Sequence, residues 1–220
     1  MLKKDTLNFL EELKKNNTRE WFAENKTWYQ RSRTDAELLV AQMIQAIAAF
    51  DPAIGLLEPK KCLFRIYRDV RFSADKSPYK THFGAIFRPR TAERISGYYM
   101  HIDPQEIFLS FGYYMSDAEQ LKKIRRGIYN DFDTLNDILN DKTFKKEIGD
   151  LYRDSDALQR VPNGFDKDHP AAEYLKLKHF YVHKPISIDQ LLSEDFVEYA
   201  ARIYKIMYPL GEYLDDIVNE

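Results

Sequence analysis

Apolar positions in the first fifty residues recur at helical spacing. Leu7, Leu10 and Leu13 share one face of a first helix, which Asp5 and Thr6 are placed to cap and Asn16-Asn17 to stop. Thr18 opens a second stretch in which Trp21, Phe22, Asn25, Trp28 and Tyr29 fall at i, i+1, i+4, i+7 and i+8. Leu39, Val40, Met43, Ile44, Ile47 and Phe50 continue the stripe in a longer helix that Asp51-Pro52 ends. From Lys61 to Met115 the period drops to two and aromatic and β-branched residues dominate, which predicts strands at 61–72, 83–89, 95–102 and 106–113. Asp103-Pro104-Gln105-Glu106 is the turn that closes the last two into a hairpin.

Beyond the strands, Ser116-Asp117-Ala118-Glu119 is a capping box that predicts a helix through Leu121, Ile124 and Ile128 to Leu139. A short helix is expected from Thr143 to Ile148, stopped by Gly149, and another from Pro170 through Leu177. His179 to Lys184 reads as extended chain. Ser187-Ile188-Asp189-Gln190 is a second capping box, opening a final helix through Phe196, Ala200, Ile203, Met207, Leu210, Leu214 and Ile217 that Pro209 should kink. The succession predicts an α+β fold: one mainly antiparallel sheet of four or more strands flanked by N-terminal and C-terminal helices. No repeat, linker or low-complexity tract interrupts the 220 residues, so a single domain spanning 1–220 is expected.

Composition narrows the class. With 44% hydrophobic and 31% charged residues, 8 Gly and 9 Pro, the chain can bury a sizeable core and is neither disordered nor fibrous. No apolar run approaches the roughly 18–20 residues of a membrane helix, and Met1-Leu2-Lys3-Lys4-Asp5 lacks a secretory apolar stretch, so a cytoplasmic protein without a membrane partner is expected. The single cysteine, Cys62, excludes an intramolecular disulfide and any multi-cysteine metal site.

Charge carries the first functional content. Lys60, Lys61, Arg65, Arg68, Arg71, Lys76, Lys80, Arg88 and Arg90 stand against Asp69 and Asp75 alone, so the 60–90 segment is +7 while the whole chain is −2. A pI near 6.2 disfavours a protein that coats nucleic acid non-specifically, but leaves room for a local anion site.

Within that segment, a strand over 61–72 would place Phe64, Ile66, Val70 and Phe72 on an apolar face and Arg65, Tyr67, Asp69 and Arg71 on the other. Arg68 falls in register with the apolar face, so either a bulge turns it outward or a carboxylate meets it. Planar guanidinium forks match phosphate and carboxylate oxygens in bidentate fashion. The loop that follows supplies hydroxyls, Lys76, Lys80 and His82. A solvated salt-bridge lattice is the plain alternative; the density of arginines and aromatics favours an anion site.

The run Arg65-x-x-Arg68-Asp69-x-Arg71-Phe72, with Asp75-Lys76 and Tyr79, resembles the signature of the bacterial domain of unknown function 2461 family. Asn16-Asn17, Glu20-Trp21-Phe22, Asn25-Lys26-x-x-Tyr29, Val161-Pro162-x-Gly164 and His169-Pro170 agree with it. The resemblance implies a single-domain bacterial protein and marks these residues as the family's site, and it attaches no activity, cofactor or catalytic residue to them.

The expected site therefore comprises Arg65, Arg68, Arg71, Asp75, Lys76, Tyr79, Lys80, Asn25 and Tyr29 as ligand contacts, with His82 or Asp69 as the acid/base candidate if the protein is an enzyme. Trp21 and Trp28 read as core aromatics, and Cys62 as a core-facing strand residue. No metal site is expected: His179 and His183 on extended chain stand about 13 Å apart, and Asp166, Asp168 and His169 read as caps before a helix. No phosphate loop, nucleophile elbow or His-Glu-x-x-His motif is present, which leaves the cofactor, the reaction and the oligomeric state open. The partner expected is an anionic, phosphate-bearing small molecule. Two alternatives stay open: a nucleic-acid module using strand arginines and stacking tyrosines, and a dock for an acidic protein.

Overall fold

The computed structural model of the protein describes residues 1–89, 91, 94–114 and 117–220. Ser116, expected to cap a helix, Met115 and Arg90 lie outside the described residues. The fold is α+β: four strands, β1 (Phe83–Phe87), β2 (Gly97–Asp103), β3 (Glu106–Tyr113) and β4 (Phe180–Pro185), form one antiparallel sheet in the order β1-β2-β3-β4. Helices precede and follow it. The hairpin at Asp103 closes as its turn residues require, with the Gln105 amide donating to Asp103 Oδ1 at 2.9 Å.

The chain divides into two compact units: one of Met1–Phe87, Tyr99–Leu109 and Pro185–Ala201, the other of Arg88–Tyr98, Ser110–Lys184 and Arg202–Glu220. In the first, α1 (Lys4–Lys15) buries Leu7, Phe9, Leu10 and Leu13, and α3 (Lys26–Ala48) buries Leu39, Val40, Met43, Ile44 and Ile47. Each fully buried side chain of this size contributes about 1.5–3 kcal/mol. Asp5 and Thr6 do not cap α1. Its N-cap is Lys3, without a side-chain bond, and Thr6 instead donates from its hydroxyl to the buried Asp35 of α3 at 2.7 Å. Between them α2 (Arg19–Glu24) starts on Thr18, which accepts from the Trp21 amide at 3.2 Å. It ends at Asn25, where a single helix had been expected to run on, because the Asn25 amide donates back to the Trp21 carbonyl at 2.9 Å. After α3 come a 3-10 turn (Pro52–Leu56) and a short α4 (Pro59–Cys62).

The expected strand at 61–72 is not formed. Cys62 ends α4 rather than starting a strand, Leu63 makes one antiparallel bridge to Ala85, and the chain then leaves the sheet. Cys62 is buried nonetheless, and burial raises its thiol to about 11, out of the nucleophilic range.

In the second unit the expected helix to Leu139 is two: α5 (Ala118–Asn130), capped by Asp117, and α6 (Phe132–Asn140), capped by Asp131. Asp141 likewise caps α7 (Lys142–Glu147). α8 (Ala172–Leu175) is shorter than predicted. At the close approach of β3 and β4, Gly112 has φ of 137°, and a Cβ there would stand 2.3 Å from the Phe180 carbonyl oxygen. Ser187 caps only α9 (Ile188–Leu191), after which α10 (Phe196–Asn219) forms separately and continues through Pro209.

One side chain fixes the segment that follows Leu63. Asn17, between α1 and α2, donates from Nδ2 to the Tyr79 carbonyl at 2.9 Å and accepts from the Tyr79 amide at 3.1 Å. Asn17→Ala leaves both backbone groups without those partners and should cost about 1–3 kcal/mol. Chemical denaturation would measure it, with a shifted midpoint at unchanged slope.

Candidate functional site

Residues 66–80 form an irregular hairpin. The Arg68 amide donates to Pro78 O at 3.0 Å, the Lys80 amide donates to Ile66 O at 2.7 Å, and Tyr67 bridges Tyr79. The tip does not extend the ladder because its carboxylates bond the local backbone instead. Asp69 accepts from the Arg71 amide and holds the Arg71 guanidinium at 2.9 Å and 2.6 Å, while Asp75 accepts from the Ser77 amide at 2.9 Å and its hydroxyl at 2.6 Å. Alternation therefore fails: Ile66 is buried, but Phe72, expected on the apolar face, is 96% exposed.

Arg68 meets a carboxylate, one of the two outcomes expected of it. Its guanidinium pairs with Asp75, donates to the Ser77 carbonyl at 3.2 Å and to Ser73 Oγ at 3.4 Å. These bonds set Arg68 in the wall of a cleft of about 350 Å³ with Asp75, Ser77, Tyr79, Lys80, Thr81 and His82, which Lys14 and Asn17 complete.

The structure thus brings together Arg68, Asp75, Tyr79, Lys80 and His82 of the residues expected from the sequence. It does not bring Arg65, Arg71, Asp69, Lys76, Asn25 or Tyr29 to the cleft wall. Arg65 is exposed, Arg71 is clamped by Asp69, and Lys76 Nζ donates to the Val70 carbonyl at 3.0 Å. Asn25 satisfies a helix end. Tyr29 belongs to an aromatic seam with Phe9 and Phe22 and accepts at its hydroxyl from Arg33 at 3.1 Å. Trp21 and Trp28 pack on Phe9 in that same seam, but both are only half-buried, at its margin rather than in the core expected for them.

Electrostatics single out Lys80. Burial lowers its pKa and the nearby Arg65 charge lowers it further. Among the described residues no carboxylate lies within 4.0 Å of its ammonium, which rests 5.1 Å from the Phe64 ring centre. Burial, then the proximity of His101 and Lys80, push His82 down to about 4, so near neutral pH its imidazole is uncharged, and the near-neutral titration expected of it does not hold. Asp69 stays ionised, as expected of an acid beside arginine, through its bonds to Arg71, but at the exposed tip.

Next to the cleft, His82, His101 and Asp103 offer donor atoms that all lie within 4.8 Å of one another. The His82 and His101 ring centres are 4.3 Å apart. Asp103 is buried, accepts from Thr81 Oγ1 at 3.2 Å, and lies 3.8 Å from Lys14 Nζ. Lys14, Asn17, His101 and Asp103 were not among the site residues expected from the sequence. Asn17 read as a helix stop and Asp103 as a turn residue; only because β2 runs one residue further than expected, to Asp103, do His101 and Asp103 stand at i and i+2 of one strand and share a face. In the second unit, Asp154, Asp156 and His179 form a similar but more exposed trio. His183 packs on Tyr152 instead of joining His179. Asp166 and His169 accept from local amides, of Asp168 at 2.9 Å and Ala171 at 3.1 Å.

The Asp75 clamp sets a pH dependence. Bonds from the Ser77 hydroxyl and amide, then from Arg68, lower its carboxyl from 3.8 to about 2. A carboxyl depressed by folding contributes stability that is fully present above its unfolded value and lost as pH falls through the folded one, here between about 4 and about 2. Carboxyl-carbon NMR should give Asp75 a midpoint near 2, and Ser77→Ala should move it upward.

No curated protein and no solved structure matches the chain. The family described as "Conserved hypothetical protein (DUF2461)" matches residues 5–213, nearly the whole length, and the chain belongs to that family.

Proposed function

We propose that the protein is a cytoplasmic receptor for a small anionic, phosphate-bearing ligand held in the cleft walled by Arg68 and Lys80. The observation that carries this reading is Lys80, a half-buried ammonium facing the cleft with no carboxylate partner among the described residues. A desolvated cation repelled by a neighbouring arginine is stabilised by an incoming anion more than an exposed one would be. Lys14 and Arg68 add two further charges against Asp75, and Ser77 and Thr81 offer hydroxyl donors. Arg68 is already oriented by Asp75, so little side-chain entropy remains to be lost when it contacts a ligand.

A second reading has its own support. Phe72 is 96% exposed and Tyr67 54%, Arg71 lies 5.9 Å from the Phe72 ring centre, and Arg65 and Lys76 are nearby in sequence and exposed. Exposed aromatics interleaved with cations are the ingredients of a single-stranded nucleic-acid surface. An acidic protein surface would meet the same cations without needing the rings.

Thermal unfolding with inorganic phosphate, pyrophosphate, nucleotides and sugar phosphates tests the first reading. A hundredfold excess over Kd should stabilise by about 2.7 kcal/mol, and each kcal/mol should move the Tm by about 2–4 °C. Lys80→Met should abolish the shift, and Arg71→Ala should leave it intact. Stabilisation by every phosphate compound that survives Lys80→Met would sink the cleft reading. Oligonucleotide binding that falls steeply with log salt and is weakened by Phe72→Ala would favour the surface instead.

A further inference from the structure

We infer that His82, His101 and Asp103 bind a divalent first-row transition metal ion. Two imidazoles and one carboxylate are a donor set suited to zinc and to ferrous iron, with the remaining coordination positions left to water or ligand. The three donor atoms lie within 4.8 Å of one another. Metal–donor bonds of about 2.1 Å place neighbouring donors roughly 3.0–3.4 Å apart, so closure from within 4.8 Å asks for donor movements of at most about 2 Å, within the reach of side-chain rotation.

The surroundings of each ligand fit the assignment. His101 Nδ1 is 2.9 Å from the Tyr99 hydroxyl. In the metal-binding tautomer Nδ1 carries the proton and donates it to that oxygen, which directs Nε2 to the ion. Phe108 stacks on the His101 ring at 4.8 Å and 9° and fixes its plane. Room for the phenol is built into the neighbouring strand: a Cβ on Gly84 would stand 2.6 Å from Tyr99 Oη. Asp103 Oδ1 is held by the Gln105 amide at 2.9 Å, and Oδ2, approached by Thr81 Oγ1 at 3.2 Å, is the oxygen offered to the metal. Lys14 Nζ donates to Gln105 Oε1 at 2.6 Å and stands 3.8 Å from Asp103 Oδ1, on the oxygen the metal does not use. Two of the ligands come from one face of β2 and the third from the residue before β1, adjacent strands of the sheet. The site shares His82 with the anion cleft, but metal binding requires no anion.

Cobalt(II) titration of the chelator-stripped full-length protein, in phosphate-free buffer, tests this independently of the anion reading. One equivalent should bind with visible d–d absorption. His82→Gln and His101→Gln should each weaken binding about 100-fold or more, Tyr99→Phe about tenfold, and His179→Gln, in the exposed trio of the second unit, should leave it unchanged. Circular dichroism and the Tm establish that each variant is folded, and the half-exposed His82→Gln carries the test should His101→Gln unfold. No uptake by the native protein, uptake that survives His82→Gln in a folded chain, or uptake lost only in His179→Gln overturns the assignment.

Discussion

The paired hydrogen bonds between the Asn17 amide and the backbone of Tyr79 are the constraint on which the rest of the site depends. They join positions 62 residues apart and do for Tyr79 what a neighbouring strand would, satisfying both its donor and its acceptor. Ile66, the Tyr67–Tyr79 bridge and the Phe22 ring stacked at 3.9 Å on Tyr79 close the base of the hairpin around that point. With the base fixed, the tip can depart from strand geometry without leaving buried backbone groups unsatisfied.

That departure explains what was legible in the arginine segment and what was not. The misfit of Arg68 on an apolar face left two outcomes, a bulge or a carboxylate partner, and the structure holds the second, in Asp75. Period-two alternation, however, presumes that the backbone pairs with backbone. Asp69 and Asp75 each offer an acceptor within two residues of an amide, at far lower entropic cost than a distant strand, and the local bonds win. Arg71 is lost to the cleft for the same reason, since Asp69 captures its fork locally.

The same competition governs the helices. Asn25 and Asp131 interrupt apolar stripes that are otherwise continuous, and each satisfies backbone donors or acceptors at a new helix end. The stripe reports which face is buried, not whether the backbone is unbroken, so the faces were readable and the breaks were not. Strands fared better where backbone pairs with backbone: β3 matches its expected span, and β1 and β2 differ only at their ends. The α+β class followed from the order of these patterns, whereas His101 and Asp103 gain meaning only once β1 is laid beside β2.

Residues 79–82 are where these constraints converge. Tyr79 is held by Asn17, Lys80 by the hydrogen bond its backbone N–H donates to the Ile66 carbonyl, Thr81 by Asp103, and His82 lies against His101. Four consecutive residues are therefore anchored in turn to the turn after α1, to the hairpin base and to β2, before the chain enters β1. A short segment tied at every residue has little freedom to relax around an unfavourable charge. The burial of an ammonium and an imidazole within it is then sustained by neighbours that are themselves held by these bonds, so the desolvation of both groups is a property of the fold around them.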